Sequence, residues 1–148
     1  MKEHGRFIVA QAGQLLLFAG EGPWNDDTLR RGSREMGAVI RAIDKTKPWA
    51  QLSLLYGDSL MIPSAFKNFI KGTSERKVLG LSALAIVIKD SAITSLIKNQ
   101  LREAYQQPEI EHAFFDCNED ALLWLKEQAF EITEKEIVAF LSRCDFAR

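Results

Sequence analysis

Three residues in the sequence could form a catalytic triad, namely Asp58, Ser59 and His112. A serine nucleophile needs a base that takes its proton and an acid that orients the base. Ser59 lacks the Gly-x-Ser-x-Gly pattern that exposes a nucleophile on a sharp strand-to-helix turn. A chain of this size offers such a trio by chance, so we assign no catalytic residue.

His112, Asp116 and Cys117 are residue types that bind metal ions. Residues 112 and 116 would share one face of a strand. Two ligands do not make a site, however, and the cysteines show no Cys-x-x-Cys spacing. We therefore predict no metal site.

A glycine-rich loop for a nucleotide cofactor is also absent from the sequence. Residues 20–22, Gly-Glu-Gly, begin like Gly-x-Gly-x-x-Gly, but residues 23–25, Pro-Trp-Asn, do not complete the motif. No Walker-type loop occurs. We predict no cofactor.

The charge balance does not favour a nucleic-acid partner. The chain carries 19 Lys+Arg against 20 Asp+Glu, a net charge of −1, whereas nucleic-acid-binding domains usually have a basic excess. Lys67, Lys71, Arg76 and Lys77 could hold an anion, but such a cluster is usually a solvated helix face. We predict no nucleic-acid partner.

Gly22, Trp24 and Asn25 form the predicted ligand site, where a strand gives way to a helix. In open α/β sheets, ligands bind outside the carboxyl ends of the strands. Gly22 lets the backbone turn, Trp24 supplies an apolar wall, and the helix start at Asn25 directs free N–H groups to the same space. The carboxylates of Asp26 and Asp27 disfavour phosphate, so we expect a mainly apolar ligand. In the alternative interpretation, Trp24 only fills the seam between helix and sheet.

Composition places these residues in one domain spanning residues 1–148. Hydrophobic residues make up 47% and charged residues 26%, which is ordinary for a globular chain. The longest apolar run, residues 78–88, is too short for a membrane helix, so we predict no transmembrane span. We interpret Cys117 and Cys144 as reduced thiols and expect a cytoplasmic protein.

The elements that must position the site follow from apolar periodicity. Two apolar runs around a glycine-containing link predict a hairpin of residues 7–11 and 15–19. Further strands are predicted at residues 49–56, 84–88 and 110–115. We expect helix starts at Asn25, at Pro63 and Ser64, at Asp90 or Ser91, at Asn118 and at Thr133, and a helix end at Gly72.

The predicted order is β-β-α-β-α-β-α-β-α-α, in which alternating strands and helices imply parallel pairing. The fold class is therefore α/β, with a single mixed, mostly parallel five-stranded sheet and helices on both faces. Gly32 and Gly37 interrupt the first helix, which we attribute to close packing on the sheet.

An extra C-terminal helix is predicted within residues 132–148. Thr133 and Glu136 form a capping box. Its apolar stripe comprises Ile137, Leu141 and Cys144. We expect this stripe to pack on the domain or on a second copy of the chain, because it would otherwise be an exposed apolar patch.

The strand-strand-helix opening and the segment AFFDCNEDALLWL, residues 113–125, resemble the SpoIIAA-like family within the STAS-like fold. The matching residues are Phe114, Phe115, Ala121, Leu122, Trp124 and Leu125. The resemblance covers roughly residues 6–128. It implies a small α/β domain that regulates or binds and is not known for catalysis.

Some members of that family carry an Asp-Ser-(Ser/Thr)-Gly motif whose serine is phosphorylated. In this sequence Asp58 and Ser59 lack the following glycine, and Ser64 lacks the preceding aspartate. We therefore predict no phosphorylation site.

The expected function is that of a non-enzymatic binding or regulatory domain that engages a protein partner or a small apolar ligand. The ligand variant rests on the resemblance, since related folds cradle lipids. A small hydrolase with an unrecognised catalytic site is the alternative. No motif identifies the molecular function, and a cavity with convergent polar groups would help to separate these classes.

Overall fold

The strands lie in the sheet in the order in which they occur along the chain. The computed structural model describes residues 5–128 and 130–144, and its sheet has the order β1-β2-β3-β4-β5. The strands are β1 (Arg6–Gln11), β2 (Leu15–Glu21), β3 (Trp49–Tyr56), β4 (Leu81–Lys89) and β5 (Glu111–Phe115). β1 is antiparallel to β2, and the other neighbours are parallel. The predicted hairpin and mixed, mostly parallel sheet are confirmed.

Five helices cover the sheet on its two faces. They are α1 (Asp26–Ala42), α2 (Pro63–Val78), α3 (Thr94–Gln106), α4 (Asn118–Glu127) and α5 (Glu134–Arg143). Residues of α1, α2 and α3 share one apolar cluster with Leu16, Leu84 and Ile86 of the sheet. Residues of α4 and α5 share the other cluster with Leu17 and Leu52. The two clusters explain the apolar runs of the central strands, which have a helix layer on each side.

Helix α2 is longer than expected. Gly72 does not end it, and the helix continues to Val78. Thr73 and Arg76 are both buried within this extra turn and a half. The Thr73 hydroxyl donates a hydrogen bond to the Phe69 carbonyl oxygen one turn earlier. These buried side chains hold the last turns of the helix against the domain, which a glycine signal alone does not reveal.

The predicted caps of α3 and α4 are wrong. α3 begins at Thr94, after Asp90 and Ser91, and has no side-chain cap. The Ser91 hydroxyl is engaged nearby, where it donates to an Asp58 oxygen and accepts from the backbone N–H of residue 93. In α4 the cap position is Cys117, and Asn118 is the first helical residue. The α3 prediction fails because local hydrogen bonding before the helix competes for the Ser91 side chain. Asn118 Oδ1 is buried and has no hydrogen-bond partner among the described residues, so no competing bond accounts for the α4 boundary.

Close packing does not explain the glycines of α1. A Cβ atom at Gly32 would lie 3.9 Å from both Phe18 and Phe7, and one at Gly37 would meet only Arg41, at 3.6 Å. These are ordinary van der Waals distances, so the sheet would admit alanine at both positions.

Helix α5 packs on the domain, as predicted. Ile137 and Phe140 are buried in the cluster beneath α4 and α5, and Leu141 and Cys144 are partly buried against it. Thr133 is the N-cap, but its side chain makes no capping hydrogen bond. Residues 145–148 of the predicted extension lie outside the described residues. No helix in the described ranges is both long and apolar enough to cross a membrane.

Candidate functional site

A cavity that is open to solvent at one side lies between the sheet and the layer of helices α1, α2 and α3. Apolar side chains make up most of its wall. The lining residues are Phe7, Phe18, Trp24, Thr28, Leu29, Met36, Gln51, Ser53, Leu55, Ser59, Met61, Phe69, Leu101 and Tyr105. The cavity therefore extends over the middle of β3 and is not confined to the carboxyl edge of the sheet.

Trp24 is held in the cavity wall by its backbone and by a glycine. The segment after β2 pairs with the segment after β3 through a bridge between Trp24 and Met61. The Trp24 N–H donates to the Leu60 carbonyl oxygen at 2.8 Å. The indole lies over Gly20, where an added Cβ would be only 2.4 Å from the ring. Position 20 therefore requires glycine, because the indole of Trp24 lies too close for a Cβ atom.

Gly22 and Asn25 lie beside Trp24 but outside the cavity wall. The Gly22 N–H donates to the Ser59 hydroxyl oxygen at 3.1 Å, and a Cβ at Gly22 would lie 2.7 Å from the Ser59 Cα. The Asn25 side chain caps α1 by accepting from the Thr28 N–H at 2.9 Å. Among the three predicted ligand residues, the structure places Trp24 in the wall and gives the other two supporting positions.

Aromatic rings form one end of the cavity. The Phe18 ring lies 5.9 Å from that of Trp24 and 6.1 Å from that of Phe7, measured between centroids. Phe7, Phe18, Leu29 and Phe69 are the partly exposed apolar residues of the wall. These side chains mark where the apolar interior meets solvent.

Two polar side chains of β3 form part of the cavity floor. Gln51 and Ser53 are 3% and 4% exposed. Gln51 Nε2 donates to Ser53 Oγ at 2.9 Å, while Gln51 Oε1 has no hydrogen-bond partner in the described part of the chain. This pair is not among the predicted site residues, although two polar residues two positions apart in an apolar strand indicate a shared face.

A buried cation lies next to the cavity. Arg76 is 6% exposed, and its guanidinium carbon is 5.8 Å from the Phe69 ring centroid. It donates to Thr73 Oγ1 at 3.1 Å, and its Nε has no partner within the described ranges. Burial lowers the pKa of Arg76 and raises that of Tyr105, whose pKa the positive charge of Arg76 lowers in part.

The basic residues of helix α2 do not form one cluster. Lys67, Lys71 and Lys77 are exposed, whereas Arg76 is buried on the opposite side of α2. Lys77 Nζ donates to the Glu109 carbonyl oxygen. This arrangement agrees with a solvated helix face for the three lysines.

The histidine of the hypothetical triad lies far from the serine. The strand register places His112 level with Gln51, whereas Ser59 follows Tyr56. At about 3.3 Å per residue, those levels differ by about 16 Å along the strands. The Asp58 carboxylate accepts a hydrogen bond from the Ser91 hydroxyl. The Ser59 hydroxyl donates to the Tyr56 carbonyl oxygen at 2.8 Å. The three residues do not form a catalytic unit.

His112 belongs to an aromatic group. Its ring centroid lies 5.2 Å from that of Tyr105 and 5.9 Å from that of Phe114, and its Nδ1 is 2.9 Å from the Ile110 carbonyl oxygen. Across residues 5–128 and 130–144, no three His, Cys, Asp or Glu side chains are placed to hold a metal ion.

The serines examined as phosphorylation sites have structural partners. Ser59 is buried and links β2 to the end of β3 through its bonds to Gly22 and Tyr56. Ser64 is exposed and donates to an Asp26 carboxylate oxygen at 2.7 Å. The absence of phosphorylation remains a prediction.

Comparison of the chain with protein-family models, with curated proteins and with solved structures gives no match.

Proposed function

We propose that this protein is a non-enzymatic binding domain whose ligand is a small, mainly apolar molecule held in the cavity between β3 and helices α1, α2 and α3. The cavity itself is the observation that carries the proposal. Its wall is apolar apart from a few buried polar side chains, which is the usual composition of a small-molecule site.

The chemistry around the cavity favours binding over hydrolysis. Ser59 is the serine of the sequence-derived triad, and its hydroxyl is held by Gly22 and Tyr56. A serine nucleophile needs a hydrogen-bonded base, and His112 lies at the other end of the parallel strands. The small hydrolase considered from the sequence therefore receives no support from this geometry.

Membership of the SpoIIAA-like family is part of the proposal. It rests on the sequence resemblance of residues 113–125, and the α/β order of elements is compatible with it. A cytoplasmic location is also proposed, and it is supported by Cys117 and Cys144, which are both free.

Tryptophan fluorescence during titration with fatty acids and alcohols of eight to twelve carbons tests the function. Trp24 lines the cavity, so a bound chain should change its emission in a saturable way. The Trp24→Phe variant keeps an aromatic ring but should lose the response.

Trp124→Phe is the matched control. Trp124 lies on the other face of the sheet, where its ring packs 5.6 Å from Phe115, so this variant should respond like the wild type. If the wild type shows no saturable response, or if Trp24→Phe responds equally, protein-partner binding becomes the better function.

A further inference from the structure

We infer that the ligand carries an uncharged head group that donates a hydrogen bond, such as a hydroxyl or a primary amide, and that Gln51 and Ser53 bind this group. The inference deepens the proposed function and rests on it. It assigns the cavity floor as the site of ligand specificity.

The hydrogen bonding of the cavity floor is incomplete. Gln51 Oε1 is buried and lacks a hydrogen-bond partner in the described ranges, and buried polar groups of folded proteins are nearly always paired. An unpaired acceptor is costly in an apolar enclosure. A ligand that donates to this oxygen would remove that cost.

The hydrogen bond between Gln51 and Ser53 determines which groups of the floor remain available. The Ser53 oxygen already accepts from Gln51 Nε2, so its own O–H is directed elsewhere as a donor. The floor thus presents one acceptor, Gln51 Oε1, and one donor, the Ser53 hydroxyl. A ligand hydroxyl or primary amide both donates and accepts, and it satisfies both groups at once.

The buried positive charge of Arg76 lies beside the cavity and outside its wall. Arg76 would favour an anionic head, but it is not part of the cavity wall. The Phe69 ring, which does line the cavity, packs against its guanidinium group. A carboxylate on the floor can accept from the Ser53 hydroxyl, but it leaves Gln51 Oε1 unpaired, and the two acceptors repel each other. The geometry therefore favours a neutral donor over an anion.

Two isomeric ligands test this inference. Octan-1-ol and heptyl methyl ether have the same atoms and similar length, but only the alcohol can donate. We expect the alcohol to bind about tenfold more tightly than the ether and than octanoate at neutral pH, because only it pairs with Gln51 Oε1. Isothermal titration calorimetry on the full chain measures the three affinities.

The variant Gln51→Met with Ser53→Ala removes both polar groups at similar shape, a change that buried pairs often tolerate. Circular dichroism and thermal melting establish that this variant is folded. We expect it to bind the alcohol and the ether with affinities within about twofold of each other. A preference for the alcohol that survives in this variant would overturn the inference.

The outcomes separate the two proposals. If none of the three compounds binds, the proposed function fails, and the inference fails with it. If the alcohol and the ether bind wild type equally, only the inference fails. Tighter binding of octanoate also overturns it, since the floor would then present N–H groups or the charge of Arg76.

Discussion

At the residue scale, two glycines of the chain have different structural roles. Gly20 lies under the indole of Trp24, where an added Cβ would be 2.4 Å from one ring carbon and 2.8 Å from another. Gly37 lies in α1 and would meet only a flexible arginine side chain, at 3.6 Å. Neither residue has a positive φ. The space around each glycine therefore decides what alanine would do there.

Gly20→Ala should destabilise the protein by about 1–3 kcal/mol, because the methyl group forces Trp24 out of its place. It should also weaken the fluorescence response to ligand, since Trp24 forms part of the cavity wall. Urea denaturation and the ligand titration measure the two effects.

Gly37→Ala is the matched control, with the same atoms added in a helix that admits them. It should stabilise the protein by about 0.4–1 kcal/mol through reduced entropy of the unfolded chain. Equal destabilisation by both substitutions would show that the close approach of Trp24 to Gly20 does not matter.

At the element scale, the strands were predictable because each is an apolar run bounded by turn residues. β3 was predicted with its observed limits, Trp49–Tyr56. Helix limits were less predictable: α2 passes through Gly72, and α3 begins without a side-chain cap. Periodicity reports which face of an element is buried, whereas contacts from distant segments decide where the element ends.

The candidate site was predictable only in part, for a related reason. Trp24 was identified from its place between β2 and α1, and it does line the cavity. Gln51 and Ser53 are buried polar residues in a central strand. Their role depends on the empty space above them, which is set by how α1, α2 and α3 pack together. No local pattern encodes that spacing.

Helix α5 gives a second prediction, at the scale of an element. Phe140 is 1% exposed and lies in the cluster with Ile137, whereas Val138 on the same helix is 64% exposed. Phe140→Ala should cost about 3–5 kcal/mol, because it removes a large side chain from a packed core.

Val138→Ala is the matched control, because it places alanine at an exposed position of the same helix. It should change the free energy of unfolding by less than about 0.5 kcal/mol. Both variants are measured by urea denaturation. A small effect of Phe140→Ala would mean that α5 is not packed on the domain as described.

At the scale of the whole molecule, the two tyrosines should make the free energy of unfolding depend on pH in the alkaline range. Burial raises the pKa of Tyr105 strongly and raises that of Tyr56 to a lesser extent. Tyr105 lies in the cavity wall on α3, and Tyr56 lies on the opposite face of the sheet. Each phenol therefore holds its proton more tightly in the folded chain than in the unfolded chain.

This difference fixes the sign of the pH dependence. Below about pH 10, the ordinary pKa of tyrosine, both states keep the proton and stability is unaffected. Above it the unfolded state loses the proton first, so the free energy of unfolding should fall by up to about 1.4 kcal/mol per pH unit for each tyrosine. Urea denaturation from pH 8 to 11.5 measures this slope. Because lysines also titrate in that range, the decisive comparison is with Tyr105→Phe, which should show a shallower decline. An identical slope in that variant would mean that Tyr105 ionises as easily in the folded protein as in water.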